Sequence, residues 1–388
     1  MRRILNLFSL LLFILISVPA RTGYGAGIAP ELVLEKEYFL DEIILVNKMA
    51  SNLNMVFFIS SKGIELDELY VQGELFGGEL TLGRKYQRSG PGYFSQLLLS
   101  DQGTPLTMIS HEGKFIMKDK DEEYFLENDY IMLWAYLDEG VNKQFFYHRI
   151  SNDTLIKGLE IGVAESVIAS RQIHPAYYLP VPFLPYYLTS YIIGQDSIYN
   201  DNEDKYIGFD FTYSFANGAE IYGELLVDEF PQTKADNNPD KRAHLLGFYL
   251  PCGEDAFRLE YSNVFNYVYL HRFPWNSYTY NGKYLGHWLG HDGDVLRLEW
   301  EREEGIRAGF SYLRKGIGDM KTDFGPDHKE KKFLSSITRK ELSLHLGYDK
   351  VINDRTVLEI NSRLGKAYLT DKGEEDIVEL NLVFRVRL

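Results

Sequence analysis

The segment from Arg272 to Asp292 is rich in aromatic rings interleaved with hydrogen-bonding side chains. Aromatic rings pack against the C–H faces of sugars, while neighbouring polar groups bind the sugar hydroxyls. The composition therefore indicates a carbohydrate-binding surface. The alternative is an aromatic girdle at a membrane interface combined with a packed loop. The candidate contact residues are Trp275, Tyr278, Tyr280, Tyr284, His287 and Trp288.

The same segment carries His287, His291 and Asp292, which are residue types that bind metal ions. A zinc-hydrolase motif places two histidines on one face of a helix, with a glutamate directly after the first. Here Trp288 follows His287, and a glycine precedes each histidine, which disfavours a helix. We therefore expect neither a metal site nor a cofactor.

A second unusual segment, Gly83 to Gly92, combines three cations with three glycines and a proline. The glycines permit close backbone approach, and Arg84, Lys85 and Arg88 could pair with sugar carboxylates or phosphates. The spacing and the terminal Lys-Ser/Thr pair of a P-loop are missing. The alternative is a structural turn that folds into the lumen of a β-barrel, with its cations paired to luminal acidic side chains. Arg84 and Arg88 remain ligand-binding candidates.

Nucleophilic catalysis has little support in this sequence. No serine lies in a Gly-x-Ser-x-Gly motif, and Ser89 has no local partner. Cys252 is the only cysteine, so an intrachain disulfide is excluded. We predict no catalytic residues and a protein that is not an enzyme. A membrane-embedded hydrolase is the alternative, because catalytic triads are recognised in space rather than in sequence.

The composition of the 388 residues excludes some partners and favours a membrane. A net charge of -15 argues against nucleic acid, whose phosphates require Lys and Arg. The chain has 28 tyrosines, 24 phenylalanines and 4 tryptophans, yet its mean hydropathy is only -0.24. A soluble protein buries its aromatic residues, whereas a transmembrane barrel also displays them outside as girdles.

The N-terminus predicts export. Met1 to Arg3 is basic, Ile4 to Val18 is mostly apolar, and small residues follow. This is the pattern of a secretory signal peptide, here residues 1–26, with residues 27–388 as the mature domain. An uncleaved anchor is the alternative, but the apolar run is shorter than the roughly 20 residues of a spanning helix.

The rest of the chain alternates apolar and polar residues with period two. Phe209 to Phe215 alternates before an Asn217-Gly218 hairpin signal, and Leu342 to Tyr348 and Val378 to Leu388 show the same pattern. The pattern predicts an all-β protein, a transmembrane antiparallel β-barrel of roughly 14–18 strands. Glu31 to Lys48 is either a short amphipathic helix or two strands. A soluble β-sandwich is the alternative fold, because alternation alone does not tell which face meets water.

Connections of unequal length separate the predicted strands. Asp236 to Arg242 and Gly316 to Lys332 are long and charged, whereas Asn217-Gly218 is tight. Barrels have short turns at one end and long loops at the other. His174 to Tyr187 holds four prolines, which exclude a helix or a central strand. An extended, tyrosine-rich loop of this kind fits a constriction or a cap, and the favoured alternative is an ordered structural crossing.

An ordered set of short motifs resembles the capsule assembly Wzi family. A Gly-Arg pair leads to Gly-Pro-Gly and Leu-Leu-Ser, a His-Arg pair precedes Gly-x-x-Glu, and Tyr-Gly-Glu-Leu-Leu-x-Asp, Arg-x-Glu-Tyr, Leu-Gly-His and Gly-x-Asp elements follow. In this chain they are Gly83-Arg84, Gly90 to Ser100, His148-Arg149, Gly162 to Glu165, Tyr222 to Asp228, Arg258 to Tyr261, Leu285 to His287 and Gly290 to Asp292.

The resemblance implies an outer-membrane β-barrel of around 18 strands that acts as a lectin. Such a lectin would attach capsular or other surface polysaccharide to the cell, without catalysis. The expected partners are that polysaccharide and outer-membrane lipid, with no nucleic acid, and the protein is expected to be a monomer. A passive outer-membrane pore is the second hypothesis, and an outer-membrane hydrolase is the third.

Overall fold

A computed structural model describes residues 30–34, 42–50, 53–60, 63–118, 124–138, 140–178, 186, 203–228, 241–271, 273–318, 334–353 and 356–387. The predicted signal peptide, residues 1–26, lies outside these ranges. The strands are β1 (Pro30–Leu34), β2 (Glu42–Ala50), β3 (Leu53–Ser60), β4 (Gly63–Leu75), β5 (Gly78–Lys85), β6 (Leu106–Lys118), β7 (Tyr124–Asp138), β8 (Lys143–Ile156), β9 (Leu159–Ala169), β10 (Glu203–Ser214), β11 (Glu220–Asp228), β12 (Arg242–Cys252), β13 (Asp255–Val264), β14 (Thr279–Tyr280), β15 (Lys283–Tyr284), β16 (Gly293–Arg302), β17 (Ile306–Gly316), β18 (Ile337–Asn353), β19 (Thr356–Leu369) and β20 (Gly373–Arg387).

Eighteen of these strands form one sheet, which agrees with the predicted 14–18 strands. Each strand pairs antiparallel with its neighbours in sequence, and β14 and β15 form a separate small hairpin. The first and last strands also pair, with Glu31 opposite Arg387, and this pairing closes the sheet. Closure satisfies the backbone groups that an open edge would leave unpaired in lipid. The sheet is therefore a barrel.

The N-terminal segment consists of strands. The described parts of Glu31 to Lys48 lie in β1 and β2, which pair antiparallel, for example Leu32 opposite Leu45. The helical interpretation of this segment was therefore wrong, and the two-strand interpretation is confirmed. The helical elements whose bounds lie within the described residues are two short 3-10 turns, Pro175–Tyr178 and Pro274–Asn276. None is long and apolar enough to cross a membrane.

The outer face of the barrel is apolar and the inner face is polar. On β18, Leu342, Leu344 and Leu346 are 50%, 45% and 44% exposed, whereas Glu341 and Ser343 are 4% and 1% exposed. A water-soluble sandwich would bury the leucines and expose the acid. The alternation seen here is that of a barrel with its apolar face toward lipid, so the sandwich alternative was wrong.

The connections divide the barrel into two unlike ends. Connections 76–77, 157–158, 215–219, 253–254 and 303–305 lie at one end, called here the short-turn end. The strand ends that are joined by residues 86–105, 170–202, 229–241, 265–292 and 317–336 all lie at the other, the long-loop end. The predicted asymmetry is thus confirmed. In the predicted hairpin, Gly218 has a φ of +81°, which glycine adopts without a steric penalty.

Two of the long connections fold into the lumen and form its core. They are residues 86–105, the first inserted segment, and residues 265–292, the second inserted segment. Their side chains Leu97, Tyr269 and Tyr278 pack with the wall residues Phe145 and Tyr206, and all five are almost completely buried. Burial of aromatic and aliphatic surface on this scale makes the inserted segments part of the folded core.

Candidate functional site

The first inserted segment is held by a carboxylate on the barrel wall. Glu224 of β11 points into the lumen and accepts the backbone N–H groups of Gly92 and Leu97, both at 2.7 Å. Gly90 passes so close that a Cβ there would lie 2.7 Å from Glu224 Oε1, and its φ is +117°. Only glycine fits this approach without strain. The Gly-Pro-Gly motif therefore serves to seat the segment on Glu224.

A second wall carboxylate holds the next residue of the segment. Glu260 of β13 accepts the backbone N–H of Tyr93 at 2.8 Å and the hydroxyl of Tyr222 at 3.0 Å. The guanidinium of Arg258 lies 3.4 Å from the centroid of the Tyr93 ring, a close cation–π contact. Burial raises the pKa of Tyr93. The ring of Tyr93 is thereby fixed in a neutral form against the wall.

Buried tyrosine hydroxyls tie the second inserted segment to the first. Tyr278 donates to Leu98 O at 2.7 Å and accepts from the Ser166 hydroxyl at 2.9 Å, and Tyr269 donates to Leu97 O. Burial raises the pKa of Tyr269 and Tyr278, so both remain donors at neutral pH. The two segments and the wall thus form one hydrogen-bonded unit.

The far end of the second segment is fixed beside β17. Asp292 accepts the backbone N–H of Ser335 at 2.8 Å and that of Gly318 at 3.0 Å. Lys315 of β17 donates to Leu289 O at 2.6 Å. The segment therefore spans the mouth from β13 to the connection between β17 and β18.

The predicted aromatic candidates are not all at the surface. Tyr278 and His287 are completely buried, and Tyr280 and Tyr284 are half-buried against the core. Burial lowers the pKa of His287 to about 3, with nearby Lys315 as a smaller cause. Its Nδ1 accepts the Leu289 N–H at 3.2 Å, as a neutral imidazole can. Tyr278 and His287 are therefore placed to support the segment.

The two candidate tryptophans differ in exposure. Trp288 is 41% exposed. Trp275 is half-buried, with its ring stacked 4.9 Å from that of Phe273 and the Arg171 guanidinium 4.4 Å from its centroid. Both tryptophans lie in the connection at the long-loop end. They present aromatic surface beside polar groups, which is the combination that the sequence predicted for sugar contact.

The cationic candidates lie at the start of the first inserted segment. Arg84 belongs to β5 and is half-buried. Arg88 donates to Gly92 O at 3.0 Å and lies 3.9 Å from Asp101, within the same segment. Residues 86–92 thus fold into the lumen, as the structural alternative supposed. A role of Arg84 and Arg88 in ligand binding stays a prediction.

The proline-rich segment His174 to Tyr187 is described at residues 174–178 and 186. Tyr177 and Tyr186 pack on Phe146 and Val167, which point away from the lumen at the long-loop end. The backbone N–H of Tyr186 donates to Glu165 Oε2 at 2.7 Å. The described part therefore covers the outside of the wall. It does not cap the mouth.

The sequence did not reveal a cavity inside the barrel. A volume of about 460 Å³ lies between the first inserted segment and the polar face of β16 to β20. Tyr93 and Phe94 line it on one side, and Arg297, Arg363 and His345 on the other. Its wall residues come from five strands spread over more than eighty positions, and no local motif joins them. Within the described residues, no group of three or more His, Cys, Asp or Glu is placed to hold a metal ion.

Comparison with known proteins confirms the predicted resemblance. The family model of the capsule assembly protein Wzi matches residues 187–348. The chain is similar in structure to Wzi of Escherichia coli, described as an outer membrane protein involved in group 1 capsule assembly and a carbohydrate-binding β-barrel. The two share 14% sequence identity and a TM-score of 0.64, over 94% of this chain and 85% of that one.

A second similar structure is OprD of Pseudomonas aeruginosa. It shares 11% identity and a TM-score of 0.51, over 95% of this chain and 97% of that one. At such identities the likeness shows the fold, which is that of an outer-membrane β-barrel. No curated protein sequence matches the chain.

Proposed function

We propose that this protein is a non-enzymatic outer-membrane β-barrel that binds capsular or other surface polysaccharide through its long-loop end and so attaches the polymer to the cell. One observation carries the proposal. The lumen holds two inserted segments that are fixed to the wall by Glu224, Glu260 and buried tyrosines. A barrel filled in this way offers a fixed outer surface, and a solute channel needs an open lumen.

The orientation follows from the connections. Outer-membrane barrels have short periplasmic turns and longer extracellular loops. The long-loop end of this barrel therefore faces outward, and the connection that holds Trp275 and Trp288 lies at this end. The family match and the likeness to a carbohydrate-binding barrel support the same ligand class.

The predicted contact residues divide into two roles. Trp275, Trp288, Tyr280, Tyr284 and Arg88 are exposed or half-buried and would touch the polymer. Tyr278 and His287 are buried and would position them, and Arg84 supports the start of the first inserted segment. A repeating polymer can bind through several such weak contacts at once, which gives avidity without one deep pocket.

Binding of the detergent-refolded protein to purified polysaccharide from its own source tests the proposal, with salt varied. We expect saturable binding that Trp275→Ala and Trp288→Ala weaken. Trp300→Ala is the matched control, because Trp300 lies at the short-turn end of β16. Contacts made mainly by Arg88 would weaken with salt, whereas aromatic contacts would not. Absence of binding at every salt concentration would overturn the proposal.

Two further measurements separate the alternatives. A filled barrel should be nearly silent in a planar bilayer, whereas the pore hypothesis requires stable single-channel conductance. A hydrolase would shorten the polymer during incubation, so its size distribution, measured by chromatography, should stay unchanged. Conductance without binding would make the pore the leading hypothesis.

A further inference from the structure

The cavity inside the barrel lies on the opposite side of the inserted segments from the long-loop end. Its wall residues Arg297, Arg307, His345 and Asn361 occupy the middle of their strands or the half nearer the short-turn end. On the same wall, the luminal positions nearer the long-loop end are buried. These positions are Val295, Leu313, Ala367 and Ile377. Access to the cavity is therefore from the short-turn end.

The charges around the cavity are balanced in pairs. Arg307 pairs with Asp349 at 2.8 Å, Arg363 with Glu379 at 3.1 Å, and Arg297 Nη2 with Glu299 at 3.2 Å. No cation in these pairs is left to select an anion, and no carboxylate is left to select a cation. Each pair instead places a fixed donor beside a fixed acceptor. A vicinal diol, which both donates and accepts, matches such a pair.

An aromatic ring faces the same space. Tyr93 is 37% exposed, although its backbone is held by Glu260 and its ring by Arg258. Phe94 meets it edge-on, with 4.9 Å between the ring centroids. A ring that is held this firmly loses little conformational entropy when a ligand packs on it. Apolar C–H groups are the natural partner of its free surface.

We propose that this cavity is a second saccharide site, which binds one or two neutral sugar units that enter from the short-turn end. Tyr93 packs on the C–H face of the sugar. Asn361, Arg307 (paired with Asp349) and Glu379 (paired with Arg363) bind its hydroxyls. The volume of about 460 Å³ lies in the range of small-molecule sites. This inference deepens the proposed function by naming a subsite for the same class of ligand, but it uses other residues and the other mouth.

Titration calorimetry of the refolded barrel tests the inference. The probes are glucose, galactose and mannose with their disaccharides, and sodium glucuronate and inorganic phosphate serve as charged comparisons. We expect at least one neutral sugar to bind. Tyr93→Ala should weaken that binding about tenfold, as the loss of one aromatic contact predicts, and Tyr93→Phe should retain it.

Two further variants distinguish a lost sugar contact from a barrel that has failed to fold. Tyr312→Ala removes a tyrosine from the lipid-facing side of β17 and should leave binding unchanged. Asn361→Ala removes a cavity hydrogen-bonding group but leaves the Arg307–Asp349 pair in place, so it should weaken binding in a folded barrel.

The inference is overturned if no neutral sugar binds, if phosphate or glucuronate binds instead, or if Tyr93→Ala and Asn361→Ala bind like the unaltered protein. Its failure is separable from that of the proposed function. Tyr93→Ala should still bind polysaccharide at the long-loop end, and Trp275→Ala should still bind the small sugars.

Discussion

The carboxylate of Glu224 accepts the backbone N–H of Gly92 at 2.7 Å, although 132 positions separate the two residues. Its other oxygen accepts the N–H of Leu97 at the same distance. One residue thus joins the Tyr222 to Asp228 strand motif to the Gly90 to Ser100 motif. Motifs that look unrelated in sequence are the two sides of one contact, between an inserted segment and the wall that holds it.

The Glu224→Gln variant should loosen the first inserted segment. Glutamine offers one acceptor oxygen and turns an N–H donor toward a backbone N–H, so one of the two bonds is lost. A buried group left without its partner costs about 1–3 kcal/mol. We expect faster amide hydrogen exchange in residues 86–105 and the appearance of channel openings in a planar bilayer.

Glu220→Gln is the matched control for this change. Glu220 lies on the same face of the same strand, near the short-turn end, and its hydrogen-bond partner is Ser214 at 3.4 Å. The Glu220→Gln variant should leave the amide hydrogen exchange of residues 86–105 and the conductance in a planar bilayer unchanged. Equal effects of the two variants would show that the loss of charge, and not the contact to Gly92 and Leu97, controls the segment.

The buried His287 should make the second inserted segment sensitive to acid. Its pKa is lowered from the ordinary 6.5 to about 3, so a released segment binds a proton more readily than the packed one. The stability that depends on neutral His287 is complete above pH 6.5 and is lost as the pH falls toward 3, by about 1.4 kcal/mol per pH unit. Hydrogen exchange of residues 265–292, corrected for its intrinsic pH dependence, should accelerate over that range.

His271→Gln is the control for the pH effect. His271 Nδ1 accepts the N–H of Phe273 at 3.1 Å, the same local contact that His287 makes to Leu289, but His271 is only half-buried. His287→Gln should flatten the pH dependence and His271→Gln should not. An unchanged pH profile in His287→Gln would assign the acid sensitivity to another group.

The barrel was predictable because many of its strands carry their own signal, although Glu31 to Lys48, which forms β1 and β2, did not. Leu342 to Tyr348 alternates whether or not its neighbours are known, and a row of exposed leucines makes sense only against lipid. The filling of the lumen was not predictable, because polar residues such as Glu224 and Glu260 look the same in an open pore. Tyr278 was predicted as a contact residue because it is a tyrosine, and tyrosines occur on binding surfaces as well as in cores. Only the packing around it shows that it is buried.

An arginine on the lipid-facing side should destabilise the barrel by an amount that depends on its depth in the membrane. Leu344 lies at the middle of β18 and Ile352 close to its turn, and both are exposed on the face of the strand that carries Leu342 and Leu346. Leu344→Arg should destabilise the barrel by about 2–4 kcal/mol and Ile352→Arg by about 0–1 kcal/mol. Reversible unfolding in liposomes by denaturant measures both. Equal costs at the two depths would contradict a membrane boundary between them.

The single cysteine offers a direct test of the orientation in the membrane. Cys252 is exposed and ends β12 at the short-turn end, so it should face the periplasm. A maleimide on a polyethylene glycol chain too large for porins should label it only after the outer membrane is permeabilised. Cys252→Ala combined with Asp371→Cys moves the thiol to an exposed turn at the long-loop end. The relocated thiol should react in intact cells.

If Cys252 reacts in intact cells and the relocated thiol does not, the barrel has the opposite orientation in the membrane. In that case the saccharide surface proposed at Trp275 and Trp288 would face the periplasm, and the cavity beside Tyr93 would open to the outside.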